Sequence, residues 1–203
     1  MIRLISLYPQ HLNLNGDQGN LLVLTKRLEA AGLAFELISF QVGDDAGLLN
    51  GANFILIGHG GVAAWRTLEA ELERISGNLE AARDSGAIIF AVASGAEKLF
   101  DAPLNWFLEE LQAKPRSSQF VTTNFAGFEV LGYLNSASTL PVLEQRGSVV
   151  LTALHGPVLA KNVDFANWLV EQVSNGSAKG LIIAKADAYA AEVLKLERDL
   201  ANQ

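Results

Sequence analysis

Three short segments carry residue types that could do chemistry. Gly58-His59-Gly60-Gly61 would leave backbone N–H groups free beside a ligand, as an oxyanion site needs. A tight strand-to-helix turn would also want those glycines, so the motif alone leaves both readings open. Ala93-Ser94-Gly95 follows an apolar run and has the small residues that let a strand turn sharply into a helix. The tip of such an elbow is where a nucleophile is presented. Ser94 could serve there with a base such as His155, or simply cap the helix that follows. Leu154-His155-Gly156-Pro157 places an imidazole just after a third apolar run, where it could act as a general base. His11 stands apart. Three histidines without Asp or Glu at matching spacing do not make a metal site, and no cofactor motif is present.

The elements that would position these segments follow from apolar patterning. Ile2–Tyr8, Leu33–Phe40, Phe54–Ile57 and Ile88–Val92 read as strands. The last two are continuous apolar runs, the mark of central parallel strands covered on both faces. Helices are expected over about 20–31, 63–82 (with a break near Gly77), 96–100, 164–173 and 186–201. Tyr189, Val193, Leu196 and Leu200 share one face of the last. The stretch from Gly43 to Asn50 reads as a loop or frayed helix. Gln119–Asn124, Phe128–Leu134 and Ser148–Leu154 read as later strands, some antiparallel. Alternating strands and helices predict an α/β fold with a mostly parallel sheet flanked by helices. In such sheets ligands bind at the carboxyl ends of strands, where all three segments fall.

Composition narrows the function. The 203 residues are 50% hydrophobic and 18% charged, which fits one folded domain over 1–203 and excludes a disordered chain. The net charge of −7 makes nucleic acid a poor partner. The uncharged stretch from Gly86 to Ala96 is about half a membrane span, so a soluble cytoplasmic protein is expected. The chain has no cysteine. That removes disulfides, thiolate metal sites and cysteine nucleophiles.

The segments also resemble a family. Asn13-Leu14-Asn15-Gly16-Asp17-Gln18-Gly19-Asn20 is similar to the "N-L-Y-G-D-x-G-N" segment of one branch of the class I glutamine amidotransferases. That branch comprises the GatD and cobyric-acid-synthase types. Leu154-His155-Gly156-Pro157-Val158-Leu159-Ala160-Lys161-Asn162 resembles its "L-H-G-P-L-L-P-K-N". The helix from Asp164 continues the likeness, which spans nearly the whole chain.

The resemblance implies a flavodoxin-like glutaminase domain. In the family an elbow cysteine attacks the glutamine amide, a histidine activates it, and ammonia passes to a synthetase. For the GatD type that partner is MurT, a Mur-ligase-like subunit, and the pair amidates lipid II in peptidoglycan synthesis. Carried over residue by residue, His155 takes the place of the base. Gly58, His59, Gly60, Gly61, Ser94, Gly95 and Glu97 take the substrate and oxyanion positions. The family's "C-x-G-x-Q" reads Ala93-Ser94-Gly95-Ala96-Glu97 here, so Ala93 stands at the nucleophile position. His59 stands where a glycine is usual, Glu97 replaces a glutamine, and Val130 and Leu131 replace an Asn-His pair. The resemblance therefore implies a chain that docks on a MurT-like ligase as scaffold or regulator without hydrolysing glutamine, and leaves open whether glutamine still binds. Two other origins remain open. Ala93 could be a laboratory replacement of cysteine in an active glutaminase, or Ser94 and His155 could form a hydrolase of their own.

Overall fold

A computed structural model describes residues 1–178 and 184–201. The chain runs β1 (Ile2–Leu7), α1 (Gln18–Ala30), β2 (Phe35–Phe40), β3 (Phe54–Ile57), α2 (Val62–Asp84), β4 (Ile88–Val92) and α3 (Ser94–Glu97). It continues with β5 (Ala113–Phe125), β6 (Phe128–Ser138), β7 (Leu143–Arg146), β8 (Val149–Thr152), β9 (Leu154–His155), α4 (Val163–Val173) and α5 (Ala184–Ala201). Among the described residues these strands form a six-stranded sheet, in the order β2-β1-β3-β4-β8-β7, and a three-stranded sheet, β5-β6-β9. The first is parallel from β2 through β8, with β7 added antiparallel at the edge. This is the mostly parallel α/β sheet of flavodoxin-like order that the sequence predicts.

The continuous apolar strands are buried throughout, as helices on both faces require: Phe54–Ile57 and Ile88–Val92 carry no exposed residue. Leu21, Leu24 and Leu28 of α1 and Leu68, Leu72, Ile75 and Leu79 of α2 form the helical stripes that cover them. The break expected at Gly77 does not occur. Glycine costs a helix about 1 kcal/mol. Burying Ile75 and Leu79 on either side returns about 1.5–3 kcal/mol each.

The second sheet differs more from expectation. The strand predicted over 148–154 splits at Ala153, whose N–H donates to the carbonyls of Pro141 and Val142, each at 3.1 Å. Val149–Thr152 stays in the parallel sheet, while Leu154–His155 crosses to pair with β6. β5 begins six residues earlier than its apolar pattern, because Ala113–Ser118 is mostly exposed and shows no apolar alternation. Aromatic edges fasten this sheet to the main core. Phe125 lies 5.2 Å from Phe165 and 4.9 Å from Trp168, and Phe165 lies 5.7 Å from Phe90.

α5 carries a correction. Tyr189, Val193 and Leu196 do share a face, but it is exposed at 59%, 45% and 63%. The helix docks instead through Ala190 and ion pairs of Asp187 with Arg27, Glu197 with Lys161, and Arg198 with Glu129. The side chain of Leu200 lies outside the described residues. No helix among the described residues is long and apolar enough to cross a membrane.

Candidate active site

The site lies at the carboxyl ends of β3 and β4, where three loops meet. Ala93 follows β4 directly, its backbone at φ 48°, ψ −116°, before α3 begins at once with Ser94. That region is sparsely populated by L residues and marks stored strain. The sharp turn is possible because Gly95 has no side chain: a Cβ there would lie 2.6 Å from the carbonyl oxygens of Ile57 and Gly58. The elbow expected at Ala93-Ser94-Gly95 is therefore real backbone geometry, with a methyl group at its tip.

The Asn13–Asn20 and Leu154–Asn162 segments, far apart in sequence, pack on each other. Asn20 is fully buried; its Oδ1 accepts the Leu159 N–H at 3.0 Å, and its Nδ2 donates to the Gly156 carbonyl at 3.3 Å. Gly19 lies under Pro157, where a Cβ would come within 2.6 Å of the proline ring. Asn162 in turn holds both the N–H and the carbonyl of Leu131, at 2.9 and 2.8 Å. Val130 and Leu131 are buried beside it.

This packing fixes two histidines. The Asn15 amide meets His155 Nδ1 at 2.5 Å, and His155 Nε2 faces the Asn135 carbonyl at 3.0 Å. The carbonyl can only accept, so Nε2 carries the proton and Nδ1 accepts from Asn15. Both ring nitrogens are thus engaged. Burial holds the His155 pKa below its usual value. His59 lies edge-to-face with it, ring centres 4.8 Å apart. The buried carboxylate of Asp17 accepts the His59 backbone N–H at 3.0 Å and so anchors the loop. Burial pushes the Asp17 pKa up to about 6, although that hydrogen bond opposes the shift. Burial, with the neighbouring His155, lowers the His59 pKa to about 4, leaving a neutral ring.

Ser94 neither caps α3 nor meets His155 in a hydrogen bond among the described residues. The residue at the cap position is Ala93, without a side-chain bond. Ser94 Oγ accepts the Gly60 N–H at 3.0 Å and the Trp65 indole N–H at 2.8 Å. Its single proton faces His59 Nδ1 at 2.8 Å and the Gly60 carbonyl at 2.9 Å. The Ser94 N–H donates to His59 Nδ1 at 3.3 Å. The backbone donors that would flank a reacting carbonyl, from Ser94 and Gly60, are consequently satisfied within the chain.

Two cavities open here. One, of about 350 Å³, is lined by His59, Ala93, Ser94, Glu97 and His155 together with Arg116 and the Asn135–Ser138 strand. Glu97 accepts the Ser138 hydroxyl at 2.6 Å. The other, of about 610 Å³, contains Gly60, Gly61, Val62 and Trp65. Gly58 and Gly95 line neither; they serve the close approach of loop and elbow. Arg116 and Ser138 escaped the sequence reading, because they lie beyond the apolar stretches of β5 and β6 and in no local motif. No group of three or more His, Cys, Asp or Glu side chains that could hold a metal occurs among the described residues.

Neither a protein-family model nor a curated protein matches the chain. Solved structures do match in fold. The PurLQS structure from Thermotoga maritima has a TM-score of 0.55 at 14% identity, over 87% of this chain and 97% of the other. A structure described as a glutamine amidotransferase gives 0.52 at 14% identity, over 84% and 98%. The glutaminase domain of CTPS from Trypanosoma brucei, with bound acivicin, gives 0.50 at 10% identity, over 90% and 96%. The fold is that of class I glutamine amidotransferase domains, and it is built here without a cysteine.

Proposed function

We propose that this chain is a non-hydrolysing glutamine amidotransferase-like subunit that binds a small ligand and works beside a synthetase. The GatD-like motifs suggest a MurT-like Mur ligase as that partner and lipid II amidation in cell-wall synthesis as the setting. One observation carries the first part: the strained elbow that would present a nucleophile presents the methyl group of Ala93. A methyl group has no lone pair and cannot form the acyl intermediate on which glutamine hydrolysis depends. Ser94 does not replace it, since its oxygen is held by Gly60, Trp65 and His59.

A laboratory replacement at position 93 would explain the methyl group but not the rest. His59, Glu97, Val130 and Leu131 each have a partner or a packed place of their own. The partner is supported by the resemblance of the two motifs and by the fold likeness to the PurLQS structure. Two measurements test the proposal. Glutamine incubated with the purified chain should release no ammonia above buffer. Co-expression with a MurT-like ligase should give a stable complex on gel filtration. Ammonia release abolished by Ser94→Ala would overturn the first part, and separate elution would overturn the second.

A further inference from the structure

α5 presents an apolar face to solvent that the fold does not use. Tyr189, Val193 and Leu196 stand exposed along it, while the helix is held to the body through Ala190 and the ion pairs of Asp187, Glu197 and Arg198. Single exposed apolar residues are ordinary, but large ones aligned in one patch mark an interaction site. Their spacing, four residues and then three, is that of the seam along which one helix packs on another.

What can cover this stripe follows from the charges beside it. The positions bordering such a seam are the ones that meet the charges of a partner helix. On the inner border Ala190 is buried and Glu197 is paired with Lys161 at 2.5 Å. On the outer border stand Glu192 and Asp199, both exposed and in no ion pair among the described residues. Lys195 lies further round the helix, beyond that border, and Arg198, on the side away from the stripe, is taken by Glu129. The face is therefore an apolar stripe with an acidic edge.

That edge selects the occupant. A second copy laid antiparallel on the stripe sets Glu192 and Asp199 against their own counterparts, and one laid parallel sets Glu192 against Glu197. An anionic lipid surface is repelled as well, since helices that lie on membranes carry Lys and Arg beside their apolar face. A helix of another protein that borders its apolar stripe with Lys or Arg matches both the stripe and the edge.

We propose that α5 docks an amphipathic helix of a different protein, one whose apolar stripe is bordered by Lys or Arg. The proposal stands apart from the ligand and synthetase readings above, because it uses no residue of the cavities at Ala93.

Two labelled synthetic peptides of about three heptads test this. Both repeat the same leucine stripe; lysines border it in one and glutamates in the other. In fluorescence anisotropy with the full chain, the lysine peptide should bind at least about tenfold tighter than the glutamate peptide. Leu196→Lys alters a side chain already in solvent, so the variant should fold, and it should weaken the lysine peptide at least about tenfold. Glu192→Lys and Asp199→Lys together should invert the preference, which general attraction to a chain of net charge −7 would not do. No binding by the lysine peptide, equal binding of the two, or binding that survives Leu196→Lys would overturn the proposal. So would a preference that survives the double reversal. A dimer of the parent chain in sedimentation velocity that Leu196→Lys dissolves would also overturn it, by making a second copy the occupant.

Discussion

The backbone N–H of Ser94 donates to Nδ1 of His59 across 3.3 Å. That contact turns a place where negative charge would be stabilised into a closed hydrogen bond. The residue after an elbow nucleophile supplies one such donor through its N–H. Here the acceptor is an imidazole from the facing loop, kept neutral by burial. The second backbone donor, Gly60 N–H, is taken by Ser94 Oγ. The proposed lack of hydrolysis thus rests on at least three residues, Ala93, His59 and Ser94.

It follows that a thiol alone should not restore hydrolysis. Ala93→Cys places a nucleophile on the strained elbow but leaves both donors occupied. One such donor is worth about 10²–10³ in rate. Ammonia release from glutamine should stay at background in Ala93→Cys and rise by about 10² in the Ala93→Cys, His59→Gly double variant. A single variant as fast as the double would show that His59 does not block the site.

Ser94 should matter to stability rather than to turnover. Ser94→Ala strands the Trp65 indole N–H and the Gly60 N–H in a half-buried place. Leaving such groups unpaired costs about 1–3 kcal/mol. The urea midpoint should fall accordingly, with Trp65 fluorescence altered in the native baseline. A midpoint unchanged from the parent would mean that these bonds do not persist in solution.

How far this was legible in the sequence depends on the range of each interaction. Phe54–Ile57 and Ile88–Val92 could be read because a strand covered on both faces writes its burial into consecutive residues. The elbow could be read because a sharp turn needs small neighbours, and those neighbours are adjacent in the chain. The bond from Ser94 to His59 spans 35 positions, and nothing local to either residue announces it. Arg116 and Ser138 enter the cavity from a strand pair whose outer face is polar, so no apolar alternation marks them. The stripe of Tyr189, Val193 and Leu196 misled in the other direction. Its spacing suits a core face, yet α5 is held through Ala190 and the ion pairs of Asp187, Glu197 and Arg198.

The pH response of stability should separate Asp17 from His59. With a pKa raised to about 6, native Asp17 binds more protons than the unfolded chain between about pH 4 and 6. Its contribution is largest at low pH and is lost as pH rises through 6, by about 3 kcal/mol for a side chain this buried. His59 has the opposite sign. Its pKa of about 4 means the unfolded chain binds the extra proton below 6.5, so stability is lost as pH falls. His155, also lowered, acts in the same direction as His59. The slopes oppose each other in the parent chain, and single variants should expose them. Between pH 4.5 and 6.5, the urea midpoint should climb more steeply with pH in Asp17→Asn than in His59→Gln, where Asp17 and His155 oppose each other. Parallel curves for the two variants would contradict this assignment.

The docking of α5 gives a last prediction, because its ion pairs differ in burial. Arg27 is 4% exposed and binds both the Asp187 carboxylate and Asn167 Oδ1, the latter at 2.7 Å. Arg198 and Glu129 lie at the surface, 2.7 Å apart. Removing one partner of a buried pair costs about 3–5 kcal/mol, since the other charge stays desolvated. A surface pair contributes about 0–1 kcal/mol. Arg27→Met should therefore raise amide hydrogen exchange within Asp187–Asp199 by at least about tenfold, while exchange in β3 and β4 stays slow. Arg198→Ala should change it by less than about threefold. If the two variants behave alike, α5 is held by its apolar contact at Ala190, and the charges are incidental to its place in the fold.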